Sequence, residues 1–253
     1  MRVVLAATVL ATILLPITAQ AAVPPRALVA ARKQVESADY RMSGHLVRVD
    51  GSGARTNYGV NISAHWFPGV LRVLLEITSP ADARVYVLLE MRPDGKNTVQ
   101  VVHPGDKFPV DLPFDKWKDG PLGEGFSYED FLEAQYFWPG QSAPVETKFG
   151  ARDCEVLTST PGASDKTHYS EVKSWIDHLS SFPVYVEKTL KSSGIVKEFT
   201  YFGLRQTRGV WSATQVEAKV RGRAGSTLII IDRGTPEAHL GLKDFSPAQL
   251  THF

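Results

Sequence analysis

The hydrophobic pattern begins with a helical period and then changes to a strand period. In RALVAARKQVESADY, Leu28, Ala31, Val35 and Ala38 recur at spacings of three and four, so a helix here has one apolar face. Beyond Tyr40, apolar and polar positions alternate through ten or eleven segments of strand length, separated by turns rich in glycine and proline. This pattern predicts a mainly β (α+β) domain built on one large antiparallel sheet, and such domains often run undivided to about 200–250 residues.

Two adjacent stretches interrupt the strand pattern. Residues 107–123, KFPVDLPFDKWKDGPLG, are rich in proline and have no clear period, which predicts an irregular loop. The loop leads into GEGFSYEDFLEAQYFWPG, where a helix over 126–138 is expected to start near Ser127. On that helix Tyr128, Phe131, Leu132 and Gln135 share a face, with Phe126, Phe137 and Trp138 at its ends. The helix either packs as ordinary core or covers a ligand cavity above the sheet.

Glu129 and Asp130 in this segment have two possible roles. As an acid–base pair they would need to face one substrate atom, but neighbouring helical positions point about 100° apart. Acids in a first turn also stabilise a helix by complementing its dipole. With Ser127 as the cap and Asp130 at the third position, the pattern favours the structural role.

The N-terminal residues predict export. MRVVLAATVLATILLPITAQAA has a positive start at Arg2, an apolar run over Val3–Leu15 and a small-x-small cleavage site ending at Ala21. We expect a cleavable signal peptide over 1–21, a single mature domain over 22–253 and a periplasmic location. Since no cysteine follows the cleavage site, a lipid-anchored form is not expected.

Charge excludes two kinds of partner. Loss of Arg2 with the signal peptide leaves 27 basic side chains against 27 acidic ones. A neutral chain without a basic block is not typical of nucleic-acid binding, which depends on clustered lysine and arginine. It also lacks the polybasic segment of an electrostatic membrane binder, so we expect peripheral membrane contact at most.

Motifs for catalysis, metals and cofactors are not found in the sequence. It has no Gly-x-Ser-x-Gly elbow and no phosphate-binding glycine loop. The seven histidines have no helical metal-ligand spacing, although His45 and His65 lie on neighbouring strands of a predicted hairpin. The single cysteine, Cys154, is expected to be a buried strand residue. We therefore expect no catalytic residue, metal or cofactor; an enzyme using Glu129 and Asp130, or His103 or His168 with an acid, remains the alternative.

The segment FSYED resembles a motif of the LolA-like outer-membrane lipoprotein-sorting family, whose usual form is close to Gly-Ser-Asp-Phe-Thr-Tyr-Glu-Asp. The matching positions are Gly123, Phe126, Tyr128, Glu129 and Asp130, and Ser127 stands for threonine. Further similar stretches follow in register with the family: Arg72–Pro80, His168–Asp177, Pro183–Phe199 and Lys243–Leu250. One departure is TVQVVHPG, where the family often has a Trp-x-Tyr-x-Pro strand.

The resemblance implies a specific fold and function. The fold is a strongly curved antiparallel sheet, an unclosed half β-barrel, with a few helices covering its concave face. The implied function is to carry an acylated lipid or lipoprotein cargo between membrane donor and acceptor proteins. The candidate ligand-binding residues are Phe126, Tyr128, Phe131, Leu132, Phe137, Trp138 and Trp175. A non-lipid assembly module that pairs through its sheet edges is a further alternative.

Overall fold

A computed structural model describes residues 24–121 and 125–246. The predicted signal peptide over 1–21 lies outside these residues. So does most of the C-terminal stretch SPAQL, for which the sequence predicts a final helical turn. Among the described residues, no helix combines the length and apolar character that crossing a membrane requires.

The described residues form one α-helix followed by strands and short 3-10 turns. The helix, α1, spans Arg26–Glu36 and buries Ala27, Leu28, Ala31 and Val35, which confirms the predicted apolar face. The strands, in chain order, are β1 (Asp39–Val49), β2 (Arg55–Phe67), β3 (Val70–Ser79), β4 (Val85–Met91), β5 (Thr98–Val102), β6 (Val110–Asp111), β7 (Gly140–Gln141), β8 (Val145–Phe149), β9 (Arg152–Thr160), β10 (Tyr169–Asp177), β11 (Pro183–Leu190), β12 (Val196–Phe202), β13 (Arg205–Thr207), β14 (Val210–Ser212), β15 (Gln215–Val220) and β16 (Ser226–Pro236).

Fourteen of these strands form one antiparallel sheet. Its order is β6-β5-β4-β3-β2-β1-β16-β15-β12-β11-β10-β9-β7, and β8 also pairs with β9. The end strands β6 and β7 do not pair with each other, so the sheet is not closed into a barrel. The central pairing of β1 with β16 joins the N-terminal half of the chain to its C-terminal half. This architecture confirms the predicted fold class.

The sheet curves around one main core. Side chains from opposite halves of the sheet, such as Val87 on β4 and Val172 on β10, belong to the same buried cluster, and Leu28 of α1 joins them. Strands so far apart in the order share a core because the sheet bends toward itself. The helix therefore lies within the concave face.

A second, smaller core lies on the outer face. Leu74 on β3 and Leu88 on β4 pack with Val102, Leu240 and Phe245. The last of these belongs to a 3-10 turn, Leu242–Phe245, that covers this face. Burial on both faces explains why β3 and β4 have nearly continuous apolar runs instead of strict alternation.

Residues 107–121 of the predicted loop contain regular elements that the sequence does not predict. They contribute the edge strand β6 and a 3-10 turn over Phe114–Lys116. The side chain of Trp117 is buried, and its Nε1 donates a hydrogen bond to the carbonyl of Leu112 at 3.0 Å. Because β6 has only two residues, it has no alternation of apolar and polar positions from which the sequence could predict a strand.

The strand count also differs from the prediction of ten or eleven. The run GIVKEFTYFGLRQ reads as one strand but is divided by Gly203, which has a left-handed φ of 61°. A β-carbon at Gly203 would overlap the hydroxyl of Thr214. Glycine therefore permits the sharp turn that separates the sheet strand β12 from the β13–β14 hairpin.

Candidate ligand cavity and cover segment

The cover segment, Phe126–Trp138, is not the single helix that the sequence predicts. It consists of two 3-10 turns, Tyr128–Phe131 and Ala134–Phe137. Between them Glu133 has a φ of 48°, a left-handed conformation that breaks helical continuity. The predicted cap is confirmed, because Asp130 Oδ2 accepts hydrogen bonds from the amide and the hydroxyl of Ser127, each at 2.7 Å.

Asp130 is the centre of a buried charge cluster. Its carboxylate forms ion pairs with Lys188, at 3.1 Å from Oδ1, and with Lys197 through Oδ2. Tyr169 donates a hydrogen bond to Oδ1 at 2.7 Å. All of these side chains are buried. The cluster ties the first 3-10 turn to β10, β11 and β12, so Asp130 anchors the cover segment to the sheet.

The charges of this cluster shift the pKa values of its members. Burial by itself would raise the pKa of Asp130, but Lys197 and Lys188 outweigh it and hold that pKa well below its usual range. Burial lowers the pKa of Lys197, although the attraction of Asp130 opposes this effect. Burial and the negative charge of Asp130 raise the pKa of Tyr169, which keeps its hydroxyl a hydrogen-bond donor.

Glu129 forms a second anchor. Its carboxylate accepts hydrogen bonds from the hydroxyl of Thr167 and the amide of His168, both at 3.1 Å, and lies 3.2 Å from His168 Nδ1. The ring of Phe114 stacks on the imidazole with centroids 4.2 Å apart. This histidine–acid pair therefore lies beneath the loop over 107–121, and neither member lines the cavity described below.

The sequence analysis did not identify Lys188 and Lys197 as the buried partners of Asp130. Lys188 follows Val184 and Val186 on the inward-facing positions of β11, and Lys197 precedes Phe199 on those of β12. A lysine within an inward series is unusual unless it is paired. A lysine at an inward-facing position of each strand was therefore the sequence signal that could have predicted a buried ion pair. The interpretation of Asp130 as helix-starting chemistry is thus incomplete, since its side chain also neutralises two buried cations.

We predict that acid weakens the Asp130 anchor. An unfolded aspartate has a pKa of about 3.9 and the folded one lies lower, so at low pH the unfolded state binds more protons and stability falls as pH falls through this range. The difference in unfolding free energy between wild type and Asp130→Asn should shrink as pH drops from about 6 to about 3. Urea unfolding at several pH values measures it. Other acids with lowered pKa values, such as Asp39 and Asp177, are present in both proteins, so their titration cancels in this difference. A difference that stays constant with pH would contradict the prediction.

A cavity of about 270 Å³ lies between the cover segment, the concave face and the end of α1. Most of its wall area is apolar, and polar and charged side chains, Asp130 and Arg205 included, also line it. The principal lining side chains are Met42, Ile62, Leu71, Val73, Phe126, Phe131, Phe182, Trp211, Val216, Ile229 and Ile231, with Tyr40, Glu133 and Tyr201 among the polar ones. Such a mixture is typical of small-molecule sites, which combine apolar walls with a few placed polar groups.

The candidate ligand-binding residues of the cover segment divide into two groups. Phe126 and Phe131 line the cavity, and their rings stack with centroids 5.6 Å apart. The remaining four, Tyr128, Leu132, Phe137 and Trp138, belong to or pack against the main core. Phe137, for example, stacks on Trp66 with centroids 5.8 Å apart. The ordinary-core interpretation of the aromatics thus applies to most of them.

Trp175 does not line the cavity, contrary to expectation. Along β10 the buried side chains of Ser174 and Ile176 alternate with that of Trp175, which packs against Tyr185 with ring centroids 4.9 Å apart. Strand alternation therefore places the indole on the opposite face from the core. The sequence motif identifies the strand correctly, but the choice of face was wrong.

The β13–β14 hairpin forms part of the cavity wall. It is a separate two-stranded sheet, and Val210 and Trp211 on β14 line the cavity. Near its tip, Arg208 Nη1 lies 3.2 Å from Glu237 Oε2, just beyond the end of β16. The periodicity of the sequence does not predict this hairpin over the cavity.

One group of potential metal ligands lies away from the cavity. Within the described residues, Glu146, Glu155 and His178 bring ligand atoms within 4.8 Å of one another. His178 Nε2 is 3.1 Å from Glu146 Oε2, a contact that an ion pair explains without a metal. The histidines of the predicted hairpin do not share a site, because His45 pairs with Asp232 and His65 with Asp39. Cys154 is buried, as expected, and burial raises the pKa of its thiol.

Several solved structures are similar to this chain in fold. A domain from Vibrio parahaemolyticus named for outer-membrane lipoprotein sorting has a TM-score of 0.78 at 16% identity, covering 89% of this chain and 98% of that one. A DUF1329 family protein from Desulfovibrio piger has the same TM-score and identity, covering 88% and 97%. A LolA superfamily protein from Nitrosomonas europaea has a TM-score of 0.64 at 17% identity, covering 90% and 100%. The TM-scores show that these proteins and this chain share a fold.

Sequence comparison gave one match. No curated protein matches the sequence. A family model described as "Uncharacterized protein" matches residues 70–252, which is most of the chain. The chain therefore belongs to that protein family, and its fold is LolA-like.

Proposed function

We propose that this protein is a periplasmic carrier that holds an acyl chain of a lipid or lipidated protein. The observation that carries the proposal is the apolar cavity between the concave face and the cover segment. Phe126 and Phe131 line it from the cover segment, and Ile229 and Ile231 line it from the sheet. The likeness in fold to a domain named for lipoprotein sorting supports the same function.

Physical chemistry explains why such a carrier is needed. Each CH2 group withdrawn from water contributes about 0.8 kcal/mol, so an acyl chain of about 16 carbons crosses an aqueous compartment against some 12 kcal/mol. An apolar cavity lowers that barrier without any covalent step. The histidine–acid pair of Glu129 with His168 does not line this cavity.

The cavity size suggests how the cargo binds. A volume of about 270 Å³ lies just below the range of about 300–1,000 Å³ typical of ligand pockets. We infer that it accepts part of one acyl chain, and that a longer chain enters when the β13–β14 hairpin swings outward. Such a movement would bend the turn at Gly203 and break the exposed Arg208–Glu237 ion pair near the hairpin tip. Donor and acceptor proteins at the membranes would supply and remove the cargo.

Extraction of bound lipid tests this proposal. Protein purified from its native compartment is extracted with organic solvent, and the extract is analysed by mass spectrometry against a mock purification. We expect acylated species in stoichiometric amount. Their consistent absence, together with failure to bind any acyl probe added to the purified protein, would refute the carrier function.

We predict that Phe131→Asp reduces acyl-chain retention at least about tenfold. The substitution removes an aromatic wall and introduces a charge that an apolar chain cannot solvate. The free energy of unfolding should fall by only about 1–2 kcal/mol, because the ring is half-buried and faces the cavity. Titration with a fluorescent acyl probe measures retention, and urea unfolding measures stability.

Phe108→Asp is the matched control for this prediction. Phe108 has the same side chain, is 74% exposed and does not line the cavity. It should retain the probe like the wild type. Equal retention by the Phe131 and Phe108 variants would show that Phe131 does not bind the chain.

A further inference from the structure

Three polar groups face the cavity without a partner in the protein. Glu133, Tyr40 and Tyr201 all line it. Within residues 24–121 and 125–246, their side-chain oxygens make no hydrogen bond or ion pair. Burial and the charge of Glu133 raise the pKa of both tyrosines. Each of the three side chains is only partly buried, so a ligand in the cavity can reach their oxygens and act as the hydrogen-bond partner.

The backbone of Glu133 adds a second observation. Its φ of 48° is unusual for a residue with a side chain. The conformation lies at the break between the two 3-10 turns and brings the carboxyl group to the cavity. Burial raises the pKa of Glu133, and the nearby Lys188, which is paired with Asp130, only partly offsets this effect. Within the described residues the Glu133 carboxyl group therefore lines the cavity without a direct ion pair.

We propose that the Tyr40–Glu133–Tyr201 trio recognises a neutral, hydrogen-bond-donating group, such as a hydroxyl, on an otherwise apolar ligand. Two phenol hydroxyls can donate to the ligand oxygen, while the carboxyl oxygens accept from its O–H. A hydroxyl is both donor and acceptor and so satisfies all three. A ligand carboxylate would meet the like charge of Glu133 and is disfavoured. This inference rests on the proposed carrier function and specifies its ligand class.

Two isomeric probes test the recognition directly. 1-Octanol and 1-methoxyheptane have the same atoms, but only the alcohol has a donor. We expect isothermal titration calorimetry to show the alcohol binding at least about tenfold more tightly, because the ether leaves the carboxyl group without a donor. Octanoate should bind more weakly than the alcohol.

Three variants locate the effect. Tyr40→Phe and Tyr201→Phe each delete one hydroxyl, and Glu133→Met replaces the carboxyl group with an apolar side chain of similar length. Each should reduce the preference for the alcohol over the ether several-fold, and Glu133→Met should also improve octanoate binding. Tyr185→Phe is the control, since Tyr185 bonds to Glu187 and Glu198 and does not line the cavity.

The outcomes separate this inference from the carrier function. Equal affinity of wild type for alcohol and ether, with both bound, would overturn the role of the trio and leave the carrier function standing. A preference that survives in all three variants would also overturn it. No binding of either probe, combined with no copurifying acylated species, would overturn the carrier function itself.

Discussion

Asp130→Ala should lower the free energy of unfolding by about 3–5 kcal/mol. The substitution leaves Lys188 and Lys197 buried without their shared carboxylate, and it removes the acceptor of Tyr169 and Ser127. An uncompensated buried charge is among the most costly changes in a protein. Urea unfolding near neutral pH, followed by tryptophan fluorescence, measures the loss.

Two comparisons establish that the cause is charge imbalance. Asp115→Ala, at an exposed acid 4.0 Å from Lys116, should cost less than about 0.5 kcal/mol. Adding Lys188→Met and Lys197→Met to Asp130→Ala should recover part of the lost stability, because no unpaired cation then remains in the core. If Asp130→Ala is no more costly than Asp115→Ala, the anchoring role is wrong.

Gly44→Ala should cost about 3 kcal/mol, at the upper end of the usual range for overpacking. A β-carbon at this position would overlap the carbonyl oxygen of Ile230 and lie 2.9 Å from its carbonyl carbon. These are backbone atoms of the facing strand β16, so no side-chain rotation relieves the clash. The pairing of β1 with β16 shifts register at Ser43/Gly44, and this central pairing joins the two halves of the sheet.

Gly51→Ala is the matched control for this prediction. Gly51 lies in the turn after β1, where an added β-carbon would meet only the Ala224 side chain at 3.5 Å, an ordinary contact. Thermal unfolding of both variants should show a large decrease in Tm for Gly44→Ala and little change for Gly51→Ala. Similar values for the two would show that the β1–β16 bulge tolerates a side chain.

Much of the fold could be predicted because its signals are local. The face of α1 depends on the spacing of Leu28, Ala31 and Val35, and strand identity depends on alternation, both of which a single sequence displays. Capping by Ser127 and Asp130 is likewise a relation over three residues. The resemblance to LolA-like proteins supplied the curvature, which periodicity does not contain.

The errors arose where distant segments meet. Trp175 was placed on the wrong face because alternation defines two faces without saying which one is concave. The cover segment has helical composition, but Glu133 turns left-handed and Asp130 pairs with lysines 58 and 67 residues away. These contacts compete with helix formation and outweigh local propensity.

The sequence by itself determined that this chain forms a large antiparallel sheet preceded by one amphipathic helix, because burial on one face imposes a periodic pattern. Only the tertiary structure decided which side chains surround the cavity, since that depends on how the sheet bends and on which strands approach each other. The buried Asp130–Lys188–Lys197 cluster and the Tyr40–Glu133–Tyr201 trio illustrate this. Each unites residues from separate elements, and their shared environment exists only after the sheet has folded around them.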